Sequence, residues 1–397
     1  MTWVFIEPTD VWFFRDAKPF AAGEGHTARS FFPPSPQTLT GALRSLILGA
    51  RNVDWGDFQR GQGPGVAEVS ALIGTPETLG NTFAMRGPFL ARRMEDGNVE
   101  QCVPMPADAY QLENRMPVTF GSFKPSRTKF FEADHNWPKA LHPLWPPDGQ
   151  RQEGVEGAFW LADVPLQEYL EGGTFGAEAA EAFFVTEPRI GIALDYTYRR
   201  PQDQMLYNAH YVRPKSGIGL LLWLDDRVPL PASEGWLSLG GEARAGRYET
   251  LSPGQVEAVQ NLKVPQNRVK IVLLTPAYFT GGWQPADGKW EKVFGQSADL
   301  IAVAIHQPRH IGGWDLARGG HKDMHAYVPP GSVYYFEFDT PIQALSKPFT
   351  QSPVVPTKSG DEPAEHTWFK NGNTARLHPF AQMGFGQAVL GTWDWQI

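Results

Sequence analysis

The chain has 397 residues, 42% hydrophobic and 13% aromatic, which suits a folded protein of two or three domains and excludes a disordered one. Its one cysteine, Cys102, rules out an intramolecular disulfide and a cysteine-based zinc site, and no stretch approaches the roughly eighteen unbroken apolar residues of a membrane span. The formal net charge of −8 sits almost wholly in residues 151–187, where eight acidic side chains face Arg151 alone, so the remainder is near neutral and a local basic groove stays open.

The first residues, MTWVFIEPTD, lack a basic region followed by an apolar run, so the expectation is a soluble, cytoplasmic protein without a signal peptide. Residues 2–7 and 10–14 read as strands. The stretch 11–48, VWFFRDAKPFAAGEGHTARSFFPPSPQTLTGALRSLIL, is the one around which the chain is organised. An aromatic strand ends on a charged corner at Arg15 and Lys18, a glycine-containing loop comes next, and the Phe-Phe-Pro-Pro run at 31–34 is held extended by its prolines. A helix then opens at Ser35 and Pro36, a capping residue before a proline that needs no hydrogen-bond donor. Leu39, Ala42, Leu43, Leu46 and Ile47 recur on one face, Arg44 falls on another, and the helix N-terminus offers N–H groups to an anion.

Residues 52–65 read as a polar loop, 66–73 as a helix, and 82–90 with 99–104 as a hairpin about Asp96-Gly97. From 106 to 154 proline and polar residues dominate without periodicity, and 165–170 reads as a short helix. The acidic stretch 151–187 is a solvated face or a surface that repels RNA or docks a basic partner. Residues 190–198 and 206–213 alternate as strands do around a basic tip at Arg199 and Arg200, and 218–224 is a fully apolar strand. A glycine-rich loop with Gly240, Gly241 and Arg244 comes after it. The pattern then restarts, with strands at 270–275, 300–306 and 332–338, a short helix after Gly281-Gly282, and a second glycine-rich element at 311–314. The loop 350–374 is polar, and GFGQAVLG leads into a closing strand at 392–396.

The order strand, helix, two strands, glycine-rich loop and last strand occurs twice. It predicts an α+β chain of two tandem ferredoxin-like (RRM-type) βαββαβ domains with long loop-rich insertions. The expected domains are 1–255, with an insertion at about 52–187, and 265–397.

Glycine-rich loops admit a ligand close to backbone N–H groups, but GFGQAVLG neither follows a first strand nor opens a helix, and no GxxxxGK[ST] occurs. Four groups combine cations with aromatic or glycine neighbours: Arg15, Lys18, Phe20 and Arg29; Tyr198, Arg199 and Arg200; Arg244 and Arg247; Arg309, Trp314, Arg318 and Lys322. Stacking rings and phosphate-pairing cations are what single-stranded RNA needs, while each group alone equally describes a solvated surface. His306, His310, His321 and His325 repeat at four-residue spacing, yet lie in strand ends and glycine loops where that spacing does not align ligands, so no metal and no cofactor is expected. No GxSxG occurs. His26, in a glycine-flanked loop, suits either a surface position or proton transfer in an RNA-cleaving protein. The 14 tryptophans leave a carbohydrate-active protein as a third class.

The blocks FFRDAKPF, FFPPSPQTLTGALR, MRGPFL, PRIGIALD, SLGGEAR, IGGWDL, VPPGSVYYFE and GFGQAVLG, in this order along nearly the whole chain, resemble the RAMP-superfamily subunit of type III-B CRISPR (Cmr) effector complexes that holds the guide-RNA 5′ tag. The resemblance implies two ferredoxin-like domains and a non-catalytic role in antiviral defence. The subunit would grip the crRNA 5′ tag and join the large polymerase-like subunit to the backbone RAMP subunits, away from any membrane. It places Arg15, Lys18, Ser35 and Arg44 along the RNA, with the loops at Gly240, Gly241 and Arg244, at Gly312, Gly313 and Trp314, and at Gly384, Phe385 and Gly386. The Arg199–Arg200 hairpin becomes a finger over the RNA. The alternative within the same superfamily is an endoribonuclease that processes precursor crRNA with His26.

Overall fold

The computed structural model describes residues 2–15, 27–76, 78–80, 82–112, 118–127, 141–146, 155, 157–195, 200–315, 320–351 and 379–396. The principal strands are β1 (Thr2–Pro8), β2 (Thr27–Ala28), β3 (Met85–Arg93), β4 (Phe184–Asp195), β5 (Arg200–Pro214) and β6 (Ile218–Leu224). They continue as β7 (Glu234–Ser238), β8 (Ala245–Leu251), β9 (Gln266–Leu273), β10 (Ala298–Ala304), β11 (Val333–Ile342) and β12 (Ala388–Thr392). The helices are α1 (Pro36–Ala50), α2 (Trp55–Arg60), α3 (Val66–Ile73), α4 (Asp163–Leu170), α5 (Glu291–Phe294) and α6 (Pro379–Gln382). The chain is α+β, with more strand than helix.

Two compact units form. One joins Met1–Val99, Ala180–Val256 and His310–His325; the other joins Glu100–Ala179, Glu257–Arg309 and Ala326–Ile397. This differs from the boundaries read from sequence. Residues 100–179, expected inside the N-terminal domain, fold with the C-terminal half, and the glycine-rich element at 310–325 folds with the N-terminal half.

In the first unit the strands lie in the order β3-β6-β1-β8-β7, each neighbour antiparallel. The middle of β1, Val4, Phe5 and Ile6, is buried, as are Leu220, Leu221 and Leu222 beside it in β6, the apolar run that the sequence marks as a strand. Helix α1 runs past β3 and β7 and buries Leu39, Ala42, Leu43, Ile47 and Leu48, close to the stripe expected from 3.6-residue periodicity. Helix α2 lies where a loop was expected. Asp54 caps it by accepting the Asp57 N–H at 3.0 Å, and Gly61 ends it with φ of 67°. A separate pair, β4 and β5, forms a long antiparallel hairpin, and β2 joins β5 in parallel. Residues 200–203, expected at its tip, are strand: Arg200 pairs with Asp195 and Pro201 with Leu194.

The second unit carries a four-stranded antiparallel sheet in the order β10-β11-β9-β12. One face, with Val272, Val333, Tyr335 and Val389, packs on Val103, Phe120, Leu166, Tyr169 and Phe175 of the 100–179 segment. The other packs Val269, Ile271, Tyr334 and Phe336 against Phe279, Trp290 and Phe349. Burial of each such side chain contributes about 1.5–3 kcal/mol before chain entropy is subtracted. The closing strand β12 falls within the AVLGT of the glycine motif, ahead of the expected 392–396. Among the described residues, neither sheet has more than a short helical turn between its third and fourth strands.

Candidate nucleic-acid interface

The residues singled out by sequence gather, in the first unit, around the N-terminus of α1. The strand-like run 11–15 and the segment 28–32 lie side by side: Phe31 N–H donates to the Phe14 carbonyl at 2.9 Å and Phe14 N–H to Ser30 Oγ at 3.2 Å. The Phe14 and Phe32 rings stack at 6.3 Å, with Trp12 6.0 Å from Phe32. This aromatic pile fixes how the proline run enters the helix. Ser35 stands at the helix cap, but its hydroxyl lies 3.0 Å from the Thr38 hydroxyl and does not cap a backbone N–H, which corrects the capping expectation. Pro36 opens the helix, and its first turn holds no acidic side chain.

Two distant loops close on this point. Gly241 N–H donates to the Phe13 carbonyl at 2.7 Å. Gly240 has φ of 84°, and a Cβ there would stand 2.6 Å from the Phe13 carbonyl oxygen and 2.9 Å from the Phe14 ring, so only glycine fits. The side-chain amide of Gln37, one residue into α1, donates to the Gly312 carbonyl. A Cβ on Gly313 would stand 3.1 Å from that amide. Trp314 begins a two-residue strand, and Lys322, exposed, donates its N–H to the Gly313 carbonyl at 2.8 Å. Arg15, bridged to Ser30 through the backbone, and Arg29 are exposed.

Other predicted residues stand elsewhere. Arg44 donates to the Thr75 carbonyl and lies 5.9 Å from the Phe58 ring, so it ties α1 to the segment after α3. Arg244 donates to Glu242 at 2.8 Å and sits 4.9 Å from the Tyr211 ring. Lys18, Phe20, His26, Arg199 and Arg318 lie outside the described residues. The loop at Gly384, Phe385 and Gly386 belongs to the second unit, and there the structure corrects the reading. Phe385 is fully buried and stacks on Tyr327 at 5.0 Å, so its ring does not present a face to a base. A Cβ on Gly386 would come within 2.7 Å of Phe349 backbone atoms, so the glycine serves loop packing. Among the described residues no three His, Cys, Asp or Glu side chains converge as a metal site requires, and no helix is long and apolar enough to cross a membrane.

Sequence reasoning missed the root of the β4–β5 hairpin. Arg213 donates to Asp10 at 2.8 Å and to Glu187 at 2.6 Å, and Arg189 reaches Glu187 at 2.7 Å and Asp10 at 3.4 Å. Hydrogen bonds from Arg213, then from Arg189, hold the Glu187 carboxylate below its ordinary value, and the Arg213 bond does the same for Asp10. Tyr211 is buried beside them. Its ring lies 4.9 Å from Phe13 and 4.8 Å from the Arg189 guanidinium, and burial, then a hydrogen bond to Glu242, raises its pKa. Alternation puts Glu187 and Arg189 on one face of β4 and Tyr211 and Arg213 on one face of β5, but only the register of the hairpin, Glu187 opposite Tyr211, makes these the same face.

An antiparallel α+β scaffold with glycine-rich loops and an arginine-lined hairpin root assembled about one helix N-terminus is thus the protein class at hand. A family model described as CRISPR-associated protein (Cas_Cmr3) matches residues 4–393, and the chain belongs to that family, a RAMP-type subunit of type III-B Cmr effector complexes. No curated protein matches the chain. Among solved structures it is similar to a chain of the Type III-B Cmr-beta complex bound to cognate target RNA and AMPPnP, with 16% identity, 84% of this chain and 86% of that chain covered, and a TM-score of 0.48. The Cmr-beta complex bound to cognate target RNA gives the same values. A chain of the Csm3-Csm4 subcomplex of a type III-A interference complex is 11% identical over 86% of this chain and 98% of that one, with a TM-score of 0.37.

Proposed function

We propose that the chain is the non-catalytic subunit that grips the repeat-derived 5′ tag of the crRNA and bridges the large polymerase-like subunit to the backbone subunits. The observation that carries this reading is convergence. Segments at 13–14, 30–37, 240–241 and 312–313, as far as 300 positions apart from first to last, meet through contacts to backbone atoms at the N-terminus of α1. Backbone N–H groups, exposed Arg15, Arg29 and Lys322, and a first helical turn free of carboxylates form surroundings suited to phosphates. We also read both sheets as ferredoxin-like. Counting each sheet's four main strands in chain order, both run second, third, first, fourth, with the second helix of the motif reduced or replaced by β7.

The test is binding of the purified chain to a short RNA bearing the repeat-derived tag, against a scrambled RNA, across a salt series. Preference for the tag, affinity that falls steeply with salt and intact RNA are the expected results. Cleavage of repeat RNA would overturn the non-catalytic reading. Binding without preference would overturn tag recognition.

A further inference from the structure

Arg244 stands in a glycine-rich loop beside the candidate RNA site, where an arginine is ordinarily assigned to a phosphate. Its surroundings give it another task. The guanidinium is half-buried, donates to Glu242 at 2.8 Å and lies over the Tyr211 ring at 4.9 Å. Glu242 thus reaches the Tyr211 ring through Arg244, and its carboxylate acts on the Tyr211 hydroxyl, so the three side chains form one linked set. Glu242 and Ala243 hold φ of 58° and 49°, a left-handed conformation that costs a non-glycine residue energy and persists only where the surroundings enforce it. The strained turn sets the Glu242 carboxylate against the Arg244 guanidinium.

Tyr211 belongs to β5. With Val11, Phe13, Ala28 and Ala209 it forms a small hydrophobic cluster of its own at the hairpin root. We infer that Arg244 is a positioning residue: with Glu242 it clamps Tyr211, and through it sets the angle of the β4–β5 hairpin against the loop and helix end that would hold the RNA. The inference rests on the RNA-binding reading for what the angle serves. The clamp itself is a property of the free protein.

The two roles give Glu242 opposite signs. If Arg244 met a phosphate, Glu242→Gln would release it from a competing carboxylate and tighten RNA binding. As a clamp, Glu242→Gln loosens the hairpin and weakens binding. The experiment compares Arg244→Gln, Glu242→Gln and the double variant in the full chain, on tag RNA across a salt series. Each single change is expected to weaken binding about tenfold, and the double variant no more than the worse single, because both break one linkage. The slope of log K against log salt should match the parent in all three. Tighter binding by Glu242→Gln, or a slope shallower by about one phosphate in Arg244→Gln, overturns the inference.

Hydrogen exchange without RNA supplies the second reading. Both single variants should speed exchange across 208–214 and leave α1 unchanged. Unchanged exchange at 208–214 overturns the clamp whether or not RNA binds. Loss of RNA binding by the parent counts against the RNA reading alone.

Discussion

Carboxylates, cations and tyrosines meet in two places in this protein, and the two behave as opposites. In the second unit Asp108, Tyr169, Lys270 and Tyr335 are at most 2% exposed. Both tyrosine hydroxyls donate to Asp108, that of Tyr169 at 2.9 Å, while the Lys270 ammonium donates to the Tyr169 carbonyl at 2.5 Å and lies 3.6 Å from the Tyr169 ring centroid. At the hairpin root of the first unit, Asp10, Glu187, Arg189 and Arg213 are 30–49% exposed and paired directly. One residue type therefore shifts both ways. Burial drives Asp108 up, and Arg213 holds Asp10 down. Water makes the difference. In the dry cluster desolvation is the largest influence, and the Lys270 charge and the tyrosine hydrogen bonds offset it at Asp108; at the wet root short charge-assisted bonds decide, and solvent and salt weaken them.

The largest expected effect comes from breaking the dry cluster on one side. Lys270→Met leaves Asp108 buried without its cation and should cost about 3–5 kcal/mol, read as faster exchange in α4 and an earlier urea transition. Combining it with Asp108→Leu should recover most of that loss, since no charge then stays buried. A loss below about 1 kcal/mol in the single variant would place the dry cluster with exposed pairs and erase the contrast.

Glycines sharpen the comparison next. A Cβ on Gly391, in β12, would lie 2.8 Å from Lys270 Cε and 2.7 Å from the Leu170 carbonyl oxygen. Gly240→Ala meets the Phe13 carbonyl oxygen at a left-handed φ. Each substitution to alanine should cost about 1–3 kcal/mol, because backbone atoms cannot yield as a side-chain tip does. Thermal denaturation with local exchange separates them: Gly391→Ala should loosen α4 and Gly240→Ala the segment 11–15.

Legibility in the sequence tracks the range of the forces involved. The 218–224 strand and the 66–73 helix are read correctly because their patterns are local: an unbroken apolar run, and a short amphipathic repeat. The α1 stripe was legible for the same reason. The partition of 100–179 was not. It depends on Phe120, Tyr169 and Phe175 finding one face of a sheet built from residues beyond 265, and no local pattern carries that information. In the candidate site, glycine and proline mark where the backbone must approach closely, which is why the 240–241 and 312–313 loops could be named. Gln37, Tyr211 and Glu242 carry no such mark, since each acts through a partner remote in sequence. Phe385 was misread because an aromatic in a glycine loop looks the same whether it turns to a ligand or to Tyr327.

Titration should separate the two regions by the pH range in which each responds. Burial, offset by Asp108 and aided by Lys124, lowers Lys270 from its ordinary 10.5 to about 8. Between those values the unfolded chain holds a proton that the folded chain lacks, so this contribution to stability rises with pH from about 8. Tyr169 and Tyr335, raised well above 10.0, act oppositely once pH passes 10, which leaves pH 8–10 as the clear window. Asp108, raised above its ordinary 3.8 by burial, also acts oppositely, and Lys270→Met isolates the lysine's part of the slope. Local stability at α4, measured by exchange and corrected for intrinsic rates, should rise across pH 8–10 and lose that slope in Lys270→Met. The wet root depends instead on depressed carboxylates, so its contribution is present above the ordinary values of 3.8 and 4.5 and is lost as pH falls below them.

Salt gives the smallest effect and the finest discrimination. The screening length falls from about 10 Å at 0.1 M to about 3 Å at 1 M, so exposed pairs at the hairpin root lose much of their attraction while the buried cluster, cut off from mobile ions, does not. Exchange at 184–195 and 208–214 should accelerate modestly between low and molar sodium chloride, while α4 stays constant. The hairpin should not open outright, because the Phe13–Tyr211 contact at 4.9 Å and its small cluster are apolar and indifferent to screening. In the double variant Asp10→Asn with Glu187→Gln, with both carboxylates shared by Arg189 and Arg213 gone, most of the salt response at the root should vanish. A root that still responds in that variant would assign its salt sensitivity to Glu242 and Arg244, and one that never responded would show the hairpin to be held by its apolar contacts alone.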